Sequence, residues 1–415
     1  MKRNRYKSLK LGDKKQLGVK VLFTFFMILI YKLLSFVPAP FINRNVLYDL
    51  VSDISILQTA QLFSGRAITQ LTLMATGVSS YITASIILQF VTYANKRLDE
   101  ISKSSNGEKI MKRLTMILGV ILSIITSLVF TIGLSSQESN ILTNNSWYAF
   151  ATIALVHAAG TVIAILIGEA IEKKGYGNGV SLLIAVNVVS SLPMIGNSLI
   201  VASMGVKIVA IIATIVMSFL IIMVDSSEKK IPVLYSKVVA RTTGNMRSSR
   251  QTIPLKVNAT GVMPIILASF IFQILATIVT VTGNEKAMNV LTLIMDPKKL
   301  YHGIITSILI VLFTFVYAKV IFNAGDVAEN LQKNGGALIG VRPGRDTRIY
   351  LQKISDKLTR ISAVYLLVVS LIPVLMTAFL DFSGLQATSL MILIGVSLDT
   401  IIKLGNEYSL GKMKL

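Results

Sequence analysis

The chain of 415 residues contains no cysteine, two histidines and one tryptophan. Disulfide bonds and thiolate metal sites are thereby excluded, and His157 and His302, far apart in sequence, form no ligand set. Isolated histidines of this kind read as hydrogen-bonded packing residues. Acidic residues are also scarce, with 20 Asp+Glu against 41 Lys+Arg. Glu169, Asp225 and Asp399 lie near the ends of apolar runs rather than within them. A proton- or sodium-coupled carrier keeps a carboxylate near mid-membrane, and this chain keeps none there. A phosphate-binding GxxxxGK[ST] loop and an HExxH helix are missing as well. Gly335-Gly336-Ala337-Leu338-Ile339-Gly340 is glycine-rich but lacks the Lys-Ser/Thr that would hold nucleotide. No catalytic residue, metal ligand or cofactor is expected, and any driving force must come from outside the chain.

What is present is apolar. Hydrophobic residues make up 53% of the chain and charged residues 15%, with mean hydropathy +0.69. Such a composition marks an all-α polytopic membrane protein. Windows long enough to cross a bilayer fall at about 19–37, 71–93, 114–134, 147–169, 180–194, 206–224, 259–281, 300–322, 361–380 and 385–404. Ten transmembrane helices are expected. The basic start, with Lys2, Arg3, Arg5, Lys7, Lys10, Lys14 and Lys15, precedes a run without a small-residue cleavage site, which reads as an uncleaved first span.

Charge sets the orientation. Alternate loops, namely the N-terminus, 94–113, 170–179, 225–258, 323–360 and the tail from Lys403, hold 32 of the 41 Lys+Arg. The intervening loops hold only five, Arg44, Arg66, Lys286, Lys298 and Lys299. The positive-inside rule then puts both termini in the cytoplasm. Lys32, near the outer end of its span, is expected to snorkel to the headgroups. A net charge of +21 suits anionic lipid and calls for no specific nucleic acid. The loops 225–258 and 323–360 exceed what topology needs, and read as docking surfaces for a partner.

The segment Leu255–Phe272 reads as a membrane helix that begins with Lys256 and Asn258 and is broken by Gly261 and Pro264. Breaks survive in lipid only beside protein or a water-filled cavity, so it suggests the wall of a pathway. Apolar residues four apart share a helix face at Val78 and Ile82, and at Val180 and Ile184. Ile266 follows Pro264, and Ile392 lies in the tenth window. Spacing alone favours ordinary lipid-facing or core packing. The neighbouring polar residues, among them Thr83, Gln89, Asn258, Ser269 and Gln273, point to protein or water instead. A small-solute transporter is the alternative class, and it would need the mid-membrane charge that is missing.

Five stretches in register resemble the SecY family of protein-conducting channels: "FVPAPFIN" (36–43), "LFSGRAITQLTLMATGVSSYITASIILQFVT" (62–92), "GEAIEKKGYGNGVSLLI" (168–184), "LKVNATGVMPIILAS" (255–269) and "VIFNAGDVAENLQKNGGALIGVRPGRDTRIYL" (320–351). The resemblance continues to "TSLMILIGVSLDT" (388–400). It implies the SecY/Sec61α-like fold, two pseudo-symmetric five-helix halves, here 1–194 and 195–415, around an hourglass pore. It further implies a pore ring of Val78, Ile82, Val180, Ile184, Ile266 and Ile392, and a plug at about 58–70 that includes Phe63, Ser64, Gly65, Arg66 and Ala67. Arg66 departs from the small residues usual there. Spans 2 and 7 correspond to a lateral gate, for which Thr83, Gln89, Asn258, Ser269 and Gln273 are the candidates. The docking loops bring Arg241, Arg247, Arg250, Arg342, Arg345 and Arg348.

The partners so implied are a SecA-type ATPase motor, a small SecE-like membrane subunit, an unfolded precursor polypeptide, anionic lipids and, as a second occupant of the docking loops, the ribosome. The place so implied is the bacterial plasma membrane. Departures from housekeeping members are informative: Ser80 stands where a proline is common, Gln386-Ala387-Thr388 where Gly-Gly-Thr is common, and the tail is short. These resemble the accessory Sec channel of Gram-positive bacteria, which works with a dedicated second SecA and other accessory Sec proteins to export a serine-rich glycosylated adhesin. The housekeeping general secretion channel is the alternative within the family.

Overall fold

The computed structural model describes residues 11–43, 71–137, 142–144, 146–235, 251–282, 286, 290, 293–294, 299–380, 382 and 387–413. A helix stands at each of the ten apolar windows. In chain order these are α1 (Leu11–Leu34), α2 (Gly77–Ala94), α4 (Gly107–Gln137), α5 (Trp147–Lys174) and α6 (Gly179–Val201). There follow α7 (Met204–Asp225), α8 (Met263–Thr282), α9 (Leu300–Ile321), α11 (Arg345–Leu380) and α12 (Ala387–Met413). Two polar helices, α3 (Lys96–Ser102) and α10 (Ala324–Lys333), are interposed. Among the described residues, six stretches are long and apolar enough to cross a membrane: Gly77–Ala94, Gly107–Gly133, Trp147–Lys174, Met204–Asp225, Leu300–Lys333 and Arg345–Leu380.

Their surfaces require lipid. On α7 only Ala210, Met217 and Ile221 are buried, while Ile208, Ile211, Ile212, Ile215, Phe219 and Ile222 are exposed. An apolar surface covering most of a helix is not tolerated in water, and a backbone that satisfies itself as a helix is what a bilayer demands.

The chain divides into two compact units. The first comprises Met1–Val201, Phe272–Asp296 and Ile392–Leu415. In it α2, α4 and α5 pack mutually, and α1 and α6 lie against α5. The turn between α5 and α6 acts as a staple: the Tyr176 backbone N–H donates to Thr24 Oγ1 at 2.7 Å, and its hydroxyl donates to the Thr400 carbonyl at 3.2 Å. Asn187 Nδ2 donates to the buried Tyr31 hydroxyl at 2.9 Å, joining α6 to α1. One turn on, Lys32 Nζ donates to the Ser190 hydroxyl. The Lys32 ammonium thus has a hydroxyl partner on the facing helix.

The second unit comprises Ala202–Ile271 and Pro297–Met391, in which α11 packs on α9, α7 and α10. The two long loops hold more order than their charge suggested. They contain β1 (Glu228–Tyr235), β2 (Gln251–Lys256) and β3 (Gly336–Leu338), an antiparallel sheet in the order β2-β1-β3. Ile231 and Val233 point one way from β1 and meet Ala324, Leu331, Leu338 and Leu351 in a small core, with Ile253 and Leu255 packed beside it. Burying each Val, Ile or Leu there contributes about 1.5–3 kcal/mol relative to exposure. Pro254 faces Lys230 and Pro232 faces Thr252, pairs of one parity. Both suit positions whose N–H would point away from the partner strand. Pro232 is admitted in the central strand because β3 pairs only from Val233 onward.

Candidate functional site

The expected wall helix is differently built. Lys256 ends β2, and α8 begins only at Met263. Gly261, at φ +58°, makes the turn between them, a conformation in which glycine alone is unstrained. Pro264 lies in the first turn of α8, where its missing N–H has no helical acceptor to lose. The segment is a strand, a turn and a helix. It is not a helix broken in two.

Ile266 lies two residues beyond the proline and is buried, as are Val78, Ile82 and Ile392. Val180 and Ile184 are half-buried. On α2, Val78 and Ile82 are both buried, one turn apart. The N-terminal turn of α2 is regular: Ser80 N–H donates to the Thr76 carbonyl at 3.1 Å, the bond that a proline at this position would remove. Val180 is the second residue of α6, directly after Gly179, which touches Gly168 of α5. A Cβ on Gly179 would come within 1.9 Å of the Gly168 carbonyl oxygen, so only glycine lets this hairpin close. Val78, Ile82, Val180, Ile184 and Ile392 belong to the first unit and Ile266 to the second.

The polar candidates behave unequally. Gln89 Nε2 donates to Ser85 Oγ at 3.2 Å on the same helix. Ser269 Oγ donates to the Ile265 carbonyl at 3.1 Å. Thr83 is half-buried, and the side chain of Gln273 lies outside the described residues. Asn258 is 4% exposed. Its Nδ2 donates to Asp225 Oδ1 at 2.8 Å, and its Oδ1 accepts from Ser362 Oγ at 2.8 Å and Thr260 Oγ1 at 3.1 Å.

A second buried polar set was not evident in the sequence. Thr76 and Ser123 hydroxyls lie 2.7 Å apart, and Thr161 Oγ1 donates to Ser123 Oγ at 2.9 Å, joining the start of α2 to α4 and α5. One helical turn further along α4, Ser127 Oγ meets His157 Nδ1 at 2.7 Å. His157 is thus the hydrogen-bonded packing residue expected. The recurrence of Ser and Thr at 123, 127 and 131 on α4 was the available signal, since such residues mark helix interfaces in membranes.

In the second unit Arg342, Arg345 and Arg348 are all exposed. The turn Arg342–Gly344 is fixed by Thr347 Oγ1 donating to the Arg342 carbonyl at 2.9 Å and Arg348 N–H donating to the Gly344 carbonyl at 3.1 Å. Three guanidinium groups are presented beside a packed sheet. The expected plug at 58–70, with Phe63, Ser64, Gly65, Arg66 and Ala67, lies outside the described residues, as do Arg241, Arg247 and Arg250.

These elements define a multi-pass, helical membrane protein, with aliphatic side chains, buried or half-buried, at all six expected ring positions. Solved structures share the fold. "The structure of a protein conducting channel" matches with a TM-score of 0.62 at 17% identity, covering 98% of this chain and 95% of that one. "Sec61 in the Canine ribosome-channel complex from the endoplasmic reticulum" gives 0.58 at 17% identity, with 98% and 95% covered. Residues 72–401 match the sequence profile of SecY. The protein translocase subunit SecY of Mycobacterium tuberculosis is 32% identical over 421 residues, 94% of each chain. That of Helicobacter pylori is 28% identical over 420 residues, 96% of this chain and 98% of its own. The chain belongs to the SecY family of protein-translocation channel subunits. The family is one of channels and not of enzymes.

Proposed function

We propose that the chain is the central channel of a bacterial protein-export translocon, with both termini cytoplasmic. An unfolded polypeptide passes through a waist formed by Val78, Ile82, Val180, Ile184, Ile266 and Ile392. Aliphatic side chains suit this task because they offer no hydrogen bond to favour one sequence over another, and a narrow apolar constriction impedes ions by dewetting. The observation that carries the reading is family membership across residues 72–401, joined to aliphatic side chains at all six positions. The plug segment 58–70 closes the channel at rest. Thr83, Gln89, Asn258, Ser269 and Gln273 are assigned to a lateral gate between α2 and the segment that leads into and forms α8.

A SecA-type ATPase supplies the work. Arg342, Arg345 and Arg348, together with Arg241, Arg247 and Arg250, offer forked donors to its carboxylates, and a ribosome would engage the same charges through phosphate. A small SecE-like subunit clamps the two halves, and anionic lipid neutralises the remaining basic loops. The accessory Sec system, with its own second SecA and a serine-rich glycosylated adhesin as cargo, is the assignment within the family. It rests on Ser80 and on Gln386-Ala387-Thr388. The housekeeping reading is favoured by the name that the relatives at 28–32% identity carry, protein translocase subunit SecY. Gene deletion separates the two: viable cells that fail to export one adhesin support the accessory role, and loss of viability refutes it.

The channel reading itself is tested with photo-crosslinking probes introduced at Ile82 and Ile266. A precursor stalled by a folded C-terminal domain is expected to form adducts at both. Absence of adducts at both positions, with uptake of a small solute instead, would establish a transporter.

A further inference from the structure

The small sheet of the second unit runs into membrane helices with almost no linker. α7 ends at Asp225 and β1 begins at Glu228; β2 ends at Lys256 and α8 begins at Met263. The Val257 N–H donates to the Ser227 carbonyl at 3.0 Å, extending the ladder to the junction. Asn258 sits at that point. Its one amide bonds Asp225 at the end of α7, Thr260 in the turn before α8, and Ser362 on α11. Thr260 and Ser362 are 3% and 1% exposed, so neither has water as a substitute partner.

α11 reaches this junction from the docking face. Arg345 opens the helix, and Ser362 lies about 25 Å along it at 1.5 Å per residue. The same helix buries Leu351 in the core beneath the sheet. One amide therefore ties together the rod that bears the exposed arginines, the strand of the docking module and the turn that aims α8. Asparagine fits because it donates from one atom and accepts at another. Aspartate would set a second carboxylate against Asp225, and leucine would leave the carboxylate and both hydroxyls without this partner.

We propose that Asn258 is a positioning residue that couples the arginine-bearing docking module to the N-terminal turn of the gate helix α8. Displacement of α11 or of the sheet by a docked partner is passed through the Asp225–Asn258–Ser362 bonds to the turn that places Ile266. The proposal rests on the channel reading above, in which α8 is a wall of the gate and Arg342, Arg345 and Arg348 receive the motor.

The test exchanges the two sides of one hydrogen bond in the full-length channel, reconstituted with a SecA-type ATPase and a stalled precursor. The variants are Asn258→Asp, Asp225→Asn and the two combined. Combined, they restore a donor facing a carboxylate that still accepts from Ser362, at unchanged net charge. The readouts are channel-stimulated ATP hydrolysis, which reports docking, and precursor crosslinks to a probe at Ile82, which report opening. Asn258→Asp is expected to keep ATP hydrolysis within about twofold of the native channel while crosslinks fall about tenfold, and the exchange to bring crosslinks back within about twofold. Three results overturn the coupling: native crosslinking by Asn258→Asp, a parallel fall of hydrolysis and crosslinks, which marks a fold defect alone, or no rescue by the exchange. A native channel that gives no crosslink at Ile82 overturns the channel reading, and the coupling with it.

Discussion

The two units each bury a polar cluster, and the clusters are of opposite kinds. In the first unit Thr76, Ser123, Thr161, Ser127 and His157 link three membrane helices through hydroxyls and one imidazole. Carboxylates and ammonium groups take no part in those bonds. In the second unit the bonds converge on one amide and include a carboxylate, Asp225, placed at the last residue of α7. Hydroxyls rotate and can donate or accept, so their network tolerates exchange of partners. An amide held against a carboxylate has one arrangement. The comparison teaches that polarity inside a membrane protein has two uses. A neutral set of hydroxyls between packed helices is a packing joint, whereas a charged, directional set at a helix end fixes where one element stands relative to the next.

The contrast is broken most directly at Asp225. Asp225→Leu leaves the Asn258 amide donor buried without this acceptor, at a cost of about 1–3 kcal/mol. The thermal unfolding midpoint of the detergent-solubilised channel should fall clearly below that of the native protein. Asp225→Asn keeps an acceptor oxygen and should lose less than half as much. Equal losses for the two variants would show that charge, and not the hydrogen bond, holds the junction.

An intermediate effect is expected in the first unit. Ser127→Ala removes the hydroxyl that faces His157 Nδ1 and should cost about 1 kcal/mol. Adding His157→Leu should recover most of this, because replacing both partners by apolar groups removes the unmet demand. A double variant less stable than Ser127→Ala alone would mean that the imidazole has a role beyond this joint.

Legibility in the sequence follows the same division. The helices stand where apolar windows of membrane length were read, because backbone satisfaction in lipid leaves few alternatives. The only trace of the sheet in the sequence is the alternation of Ile231 with Val233 and of Ile253 with Leu255. Two short apolar pairs among lysines and arginines are a weak period-two signal beside the charge of the loops. Pro264 suggests a break if the helix starts at Leu255, but proline at the start of an apolar run is equally a helix-opening signal. The pore-ring positions came from family resemblance, since residues four apart on a helix occur in any packed bundle. Asn258 stood out as polar, but its partners Asp225 and Ser362 are distant in the chain, and only the fold brings them to it. The isolation of His157 predicts a bonded packing residue, whereas nothing in the sequence marks Ser127 as its partner.

The smallest effect sharpens the comparison most. Thr161→Val is nearly isosteric and removes one hydroxyl that donates to Ser123 Oγ. Ser123 keeps the Thr76 hydroxyl at 2.7 Å, so its oxygen is not stranded. Interhelical hydrogen bonds in membranes average about 0.6 kcal/mol by double-mutant cycles, and Thr161→Val should cost no more than about that. Precursor export by the variant should equal that of the native channel in vesicles. The corresponding change in the second unit, Ser362→Val, also removes one hydroxyl from a set with an alternative donor, Thr260, at 3.1 Å. If the neutral cluster is a joint and the charged one a coupling, Thr161→Val leaves export intact, and Ser362→Val slows export more than its loss of stability explains. Equal effects on export would reduce both clusters to packing, and the distinction between the two units would then rest on composition alone.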